Sequence, residues 1–137
     1  RGVVMDKMFI KDVVPKEKVL IVDDEAHVLK LMRDYLVSEG YDVHTATSGL
    51  EAIEKVKEVT PHIVFLDIIM PGMGGIENMK EIKKINPKIW VAMVTAVVDE
   101  ELAKRVIQLG ADDYIVKPID LGFLRVYVLV RMIQLLN

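Results

Sequence analysis

Short, unbroken apolar runs recur along this chain, and each stops on a polar residue. Val19-Leu20-Ile21-Val22 ends at Asp23 and Asp24, Ile63-Val64-Phe65-Leu66 at Asp67, Val91-Ala92-Met93-Val94 at Thr95, and Tyr114-Ile115-Val116 at Lys117. A strand that is apolar throughout has no solvent face and must be covered on both sides, which is the signature of a parallel sheet flanked by helices. The stretches between the runs supply the cover. Val28, Leu31, Met32, Tyr35 and Leu36 recur at i, i+3, i+4, i+7 and i+8, the spacing of a helix with one buried face. Gly40 stands where a left-handed cap would close that helix.

The same unit repeats. A strand predicted over residues 43–47 leads through Ser48, an N-cap residue by type, into a helix with Ala52, Val56 and Val59 on one side. A strand over 62–67 precedes a helix over 76–85 that Asn86-Pro87 stops. A strand over 89–95 precedes a helix over 99–109 that Gly110 closes, and a strand over 113–117 precedes a last helix after Pro118. Five βα units predict an α/β fold with a doubly wound, five-stranded parallel sheet.

In such a sheet the carboxyl ends of the strands share one edge, and ligands bind in the crevice outside it. Asp23, Asp24, Asp67, Thr95 and Lys117 should therefore converge. Three carboxylates held together repel one another unless a cation lies among them, and hard oxygen donors of this kind suit Mg²⁺. Lys117 and the Thr95 hydroxyl then read as partners for an anion beside the metal.

Taken in order, Val19-Leu20-Ile21-Val22-Asp23-Asp24-Glu25, Asp67-Ile68-Ile69-Met70-Pro71-Gly72-Met73-Gly74-Gly75, Thr95-Ala96 and Lys117-Pro118 closely resemble the receiver domain of two-component response regulators. The resemblance covers roughly residues 17 to 136. It implies strand order 2-1-3-4-5 in a flavodoxin-like three-layer sandwich, with residues 1–16 as an N-terminal extension and 17–137 as the domain. It implies a signalling switch that takes a phosphoryl group from a histidine kinase or histidine phosphotransfer protein onto Asp67. Such a domain catalyses only its own phosphorylation and dephosphorylation. Asp24 is expected to hold Mg²⁺ directly and Asp23 largely through water, with the Asp67 carboxylate and the Ile69 backbone carbonyl as further ligands. Lys117 and Thr95 are expected at the phosphoryl oxygens, Thr95 and Tyr114 as the coupled switch pair, and the Lys117-Pro118 bond as cis. The expected output is a change in the surface of the fourth helix, fifth strand and fifth helix, read by a partner or an output domain in the cytoplasm.

Competing chemistries are less well served. A phosphohydrolase of the haloacid dehalogenase type needs a second acid two residues after its nucleophile, and that position is Ile69. A flavodoxin-like electron carrier needs a Ser/Thr-rich phosphate loop after the first strand, which is missing, and the glycines after Met70 lack the GK[ST] ending of a P-loop. His27, His44 and His62 share no ligand spacing and receive no role.

Charge and composition narrow the partners. A net charge of −3 and an isoelectric point near 5.6 leave no electrostatic footprint for nucleic acid. With no cysteine, neither disulfide nor thiolate chemistry is open to the chain. The apolar run at 121–136 carries Arg125 and Arg131 and is too short to span a bilayer, so it reads as a helix rather than a membrane segment. Leu121, Leu124, Val128 and Leu135 form its expected buried face, which leaves Phe123, Tyr127 and Val130 for a homodimer or an output domain. Residues 1–16 are expected to form a loosely held arm, in which Val4, Met5, Met8, Phe9 and Val13 could mark one short helical face.

Overall fold

The computed structural model describes residues 16–137, so the predicted arm, apart from Lys16, lies outside the described residues. Strands β1 (Lys18–Val22), β2 (Asp42–Ala46), β3 (Ile63–Asp67), β4 (Trp90–Thr95) and β5 (Asp113–Val116) alternate with helices α1 (Ala26–Ser38), α2 (Gly49–Val59), α3 (Gly75–Ile85), α4 (Glu100–Gln108) and α5 (Leu121–Leu136). The strands form one parallel sheet in the order β2-β1-β3-β4-β5. The local signals act where the sequence places them. The Ser48 hydroxyl accepts from the Glu51 amide to start α2, and the Asp99 carboxylate accepts from the amides of Glu101 and Leu102 to start α4. Gly40 and Gly110 take the left-handed conformation just beyond α1 and α4.

The central strands bury both faces. On one, Val19, Ile21, Ile63, Phe65, Ala92 and Val94 pack against Leu29, Met32 and Leu36 of α1 and Leu124, Val128 and Met132 of α5. On the other, Leu20, Val22, Val64, Leu66, Val91 and Met93 pack against Ala52 and Val56 of α2, Met79 and Ile82 of α3 and Val106 of α4. The edge strand β2, with Asp42 and His44, is only half-buried over most of its length.

Two sequence expectations need correction. Leu31 was expected on the buried face of α1 but is 57% exposed, and Leu29 takes the inward place. A helix turns about 100° per residue, so an arc centred on Leu29, Met32 and Leu36 leaves Leu31 on the flank. Tyr127 was expected to face a partner, yet it is 7% exposed and turned toward the sheet. Its ring lies against Phe65 and Phe123. Its hydroxyl accepts from Trp90 Nε1 at 2.8 Å and donates to Asp113 Oδ2 at 2.9 Å. Two partners for the polar tip are what allow a tyrosine to be buried in this way.

Burial, together with the Asp113 carboxylate and despite the Trp90 and Arg131 donors, pushes the Tyr127 phenol up to about 12 from its ordinary 10.0. A raised folded-state value means that the stabilising contribution is complete below the unfolded value and is lost as pH climbs toward the folded one. The thermal midpoint should therefore fall between pH about 10 and about 12 more steeply in the native protein than in Tyr127→Phe. At pH 7 the substitution should cost about 1–3 kcal/mol, because the Trp90 and Asp113 groups lose their partner. Calorimetry across that pH range measures both effects.

Candidate functional site

Strand register sets the site. Val22 of β1 pairs with Leu66 of β3, Asp67 with Val94 of β4, and Thr95 with Val116 of β5, so the polar residues that end these strands arrive at one edge. The Lys117 amide donates to the Thr95 carbonyl at 2.8 Å, and the following Lys117-Pro118 peptide is cis. From there the Lys117 ammonium lies 2.6 Å from Asp23 Oδ2, 3.2 Å from Asp67 Oδ2 and 3.6 Å from Glu25 Oε1. The remaining oxygens are fixed locally: Asp23 Oδ1 accepts from the Glu25 amide, and Asp67 Oδ1 accepts from the Ile69 amide. Asp23 and Asp67 are buried, and Asp24 is exposed at the rim.

Burial raises the Asp67 carboxyl above its ordinary range, and the charge of Asp23 adds to this, while the Ile69 amide and Lys117 oppose it. Burial alone would lower Lys117, but its bonds and charge pairing with Asp23, and then with Asp67, raise it, so it stays an ammonium. One ammonium thus faces four acidic side chains, leaving the pocket anionic. Oxygen atoms of Asp23, Asp24 and Asp67 lie within 4.8 Å of one another, and among the described residues this is the group of acids and histidines that could hold a metal ion. An all-carboxylate donor set with residual negative charge fits Mg²⁺ rather than a soft metal.

Thr95 is fully buried, and its Oγ1 accepts from the Val97 amide at 3.2 Å. Tyr114 meets the same residue from the other side, its hydroxyl donating to the Val97 carbonyl at 2.6 Å. Ile69, beyond Asp67, is 64% exposed. The histidines stay apart from the site's acids except for His27, exposed 3.7 Å from Glu25; His44 lies beside Asp42, and His62 Nδ1 accepts from the Lys18 amide.

A parallel sheet wound in this order, with acids and a lysine meeting at its carboxyl edge, defines a receiver-type module. The response regulator receiver domain family matches residues 19–129, and the chain belongs to it. It is 44% identical to the chemotaxis protein CheY of Thermotoga maritima over 103 residues, 74% of this chain and 86% of that one. It is 42% identical to CheY of Bacillus subtilis over 102 residues, 74% and 85% of the two chains. Among solved structures, the CheY-like receiver of Methanospirillum hungatei superposes with a TM-score of 0.83 at 28% identity, covering 88% of this chain and 96% of that one. The Borrelia burgdorferi CheX–CheY complex with BeF₃ and Mg²⁺ gives 0.78 at 35% identity, covering 92% and 93%.

Sequence reasoning passed over two supports. Glu25 reaches Lys117, and the only signal was its place as the third acid of the Asp23-Asp24-Glu25 run. Asn78, fully buried on α3, donates from Nδ2 to the Gly49 carbonyl at 2.9 Å and so ties α3 to the start of α2. Nothing in the linear pattern marks that contact. Gly75 lets the first turn of α3 lie directly on the backbone after the phosphoacceptor candidate: a Cβ there would meet the Asp67 carbonyl oxygen at 2.3 Å and Ile68 Cα at 2.6 Å. Gly75→Ala should cost about 1–3 kcal/mol in urea unfolding, because rigid backbone must shift. Gly74→Ala, with nothing within 4 Å, should stay within about 1 kcal/mol.

Proposed function

We propose that this chain is a phosphorylation-dependent switch, with Asp67 receiving a phosphoryl group from a histidine kinase or phosphotransfer protein. The observation that carries the reading is the Lys117 ammonium bridging buried Asp23 and Asp67, with Asp24 completing a carboxylate triad. An Asp67 oxygen attacks phosphorus; the new O–P bond forms as the P–N bond to the donor imidazole breaks, and that imidazole nitrogen keeps the bonding pair. Asp23, Asp24, Asp67 and the Ile69 carbonyl would hold Mg²⁺, which shields the charge between carboxylate and phosphoryl oxygens. Lys117 is placed to follow the phosphoryl oxygens, exchanging its carboxylate partners for them. The exposed Ile69 leaves this edge open to a donor of protein size.

The switch reading rests on Val97, which joins the two switch candidates. Movement of the Thr95 hydroxyl toward a phosphoryl oxygen would draw on its bond from the Val97 amide, and Val97 is also the residue that Tyr114 holds by its carbonyl. Freeing one end of this residue loosens the other, which couples the site to the surface of α4, β5 and α5. A change from mostly off to mostly on needs about 5 kcal/mol of differential interaction, which a doubly charged phosphoryl group can supply in a half-buried site. The setting proposed is cytoplasmic; among the described residues no helix is long and apolar enough to cross a membrane.

Incubation with acetyl phosphate and Mg²⁺ should add one base-labile phosphoryl group, seen by intact-mass spectrometry, and chelation should prevent it. Labelling that persists in Asp67→Asn would refute the assignment. Asp24→Ala should weaken Mg²⁺ binding more than Asp23→Ala does, as followed by calorimetric titration. Equal titrations for the native chain and Asp24→Ala would remove Asp24 from the metal site.

A further inference from the structure

Helix α3 buries Gly75, Asn78, Met79 and Ile82, so Asn78 stands on the stripe that packing alone would give to apolar side chains. It is fully buried. Its Nδ2 donates to the Gly49 carbonyl at 2.9 Å and to the Met73 thioether at 3.3 Å, which uses both hydrogens of the amide. Turning the amide over would set its oxygen against the Gly49 carbonyl, so the orientation is fixed by the bonds it makes. Among the described residues no group donates to Asn78 Oδ1. A buried oxygen without a donor costs stability, and an apolar side chain there would avoid that cost. What the amide provides is its two donated bonds. The fit around them is close: a Cβ on Gly49 would meet Met73 Cβ at 3.1 Å, Asn78 Nδ2 at 3.2 Å and the Met73 carbonyl oxygen at 3.3 Å.

We propose that Asn78 is a positioning residue for the metal site, holding the segment 68–74 against α2 and α3 so that the Ile69 carbonyl is set for the ion before it arrives. The inference rests on the reading of Asp23, Asp24, Asp67 and the Ile69 carbonyl as Mg²⁺ ligands. The segment is tied at its two ends, where the Ile68 amide donates to the Val94 carbonyl and the Gly75 amide to the Ile68 carbonyl, each at 2.9 Å. Between them Ile69, Pro71 and Gly72 are exposed, and Gly72 takes a left-handed φ of 79°. Among the described residues no amide donates to the Ile69 carbonyl, so its direction follows the path of the segment. Met70 holds that path by burial. Met73, four residues beyond Ile69, holds it by the bond from Asn78. A ligand ordered in advance loses less freedom when the ion binds. Groups that orient a metal ligand from behind commonly change affinity by about 10–100-fold. Asn78 works through the segment rather than on the ligand itself, which sets the effect at the lower end of that range.

Asn78→Leu keeps the branched shape and removes both donated bonds together with the unpaired oxygen. Calorimetric titration should show its Mg²⁺ dissociation constant raised by about tenfold. In the metal-free protein, hydrogen exchange followed by NMR should be about tenfold faster at the Ile69 and Gly75 amides, and unchanged at the Leu66 amide within β3. Met73→Leu, which removes the acceptor alone, should move both readings the same way by less. Ile82→Val, one turn further along α3, serves as the control for stability: it should lower the thermal midpoint at least as far as Asn78→Leu does and keep the native dissociation constant. A native dissociation constant in Asn78→Leu, or an equal rise in Ile82→Val, would overturn the proposal. Failure of the metal reading shows separately, as a native chain that takes up no Mg²⁺. The metal-free exchange then still decides whether Asn78 orders the segment, and native rates at Ile69 and Gly75 in Asn78→Leu would overturn that.

Discussion

The ammonium of Lys117 between Asp23 and Asp67 is the contact on which the functional edge depends. It closes a distance of 94 residues in sequence to Asp23 and 50 to Asp67, joining β1, β3 and the end of β5. Burying two carboxylates costs several kcal/mol each unless a partner compensates, and removing that partner is more damaging than never having had the pair. The edge is therefore built around an internal cation that holds the acids in place. The arrangement is also incomplete, since one positive charge faces four negative ones. That imbalance suits the pocket to a divalent cation, on which the proposed phosphoryl transfer would depend.

What surrounds this contact positions it without joining the chemistry. The Lys117 amide is fixed on the Thr95 carbonyl, so the lysine stem begins at a defined height over the edge. Below Asp67 the chain must turn within a few residues into α3, and Gly75 permits helix and strand end to touch. Asn78 then anchors α3 to α2 from inside. A rigid scaffold of this kind leaves Val97, at the mouth of the β4–α4 loop, as the residue where hydrogen bonds from Thr95 and Tyr114 meet. Motion at the proposed switch has a short route to travel, one residue held by both its amide and its carbonyl.

Helix α5 answers a different constraint. Its inward side is spent twice, on the apolar core through Leu124, Val128 and Met132 and on the polar cluster of Trp90, Tyr127, Asp113 and Arg131. Asp113 also accepts from the Tyr114 amide, so the cluster touches the strand that carries the proposed switch residue. With its one late cation drawn inward, the helix leaves Val126, Leu129, Val130, Ile133 and Leu136 exposed on its outward side.

The sequence alone determined the parallel sheet and its helical cover, because uninterrupted apolar strands and 3.6-residue stripes are local patterns that only one class of architecture can bury. It also determined that Asp23, Asp24, Asp67, Thr95 and Lys117 share an edge, since each ends a strand in a sheet whose strands all point one way. Strand order and family followed from four motifs in sequence. What the linear pattern could not supply was direction around a helix at its margins and contact between distant side chains. Leu31 looked buried and is not, for a stripe read from spacing does not say where its arc is centred. Tyr127 looked free and is not, because its place depends on Trp90 and Asp113, donor and acceptor from two other strands that only packing brings within 3 Å. The bridging of Lys117 to Glu25 and the Val97 link between Thr95 and Tyr114 belong to the same class. They arise from tertiary geometry, where residues far apart in the chain become neighbours and hydrogen-bond direction decides which of them act together.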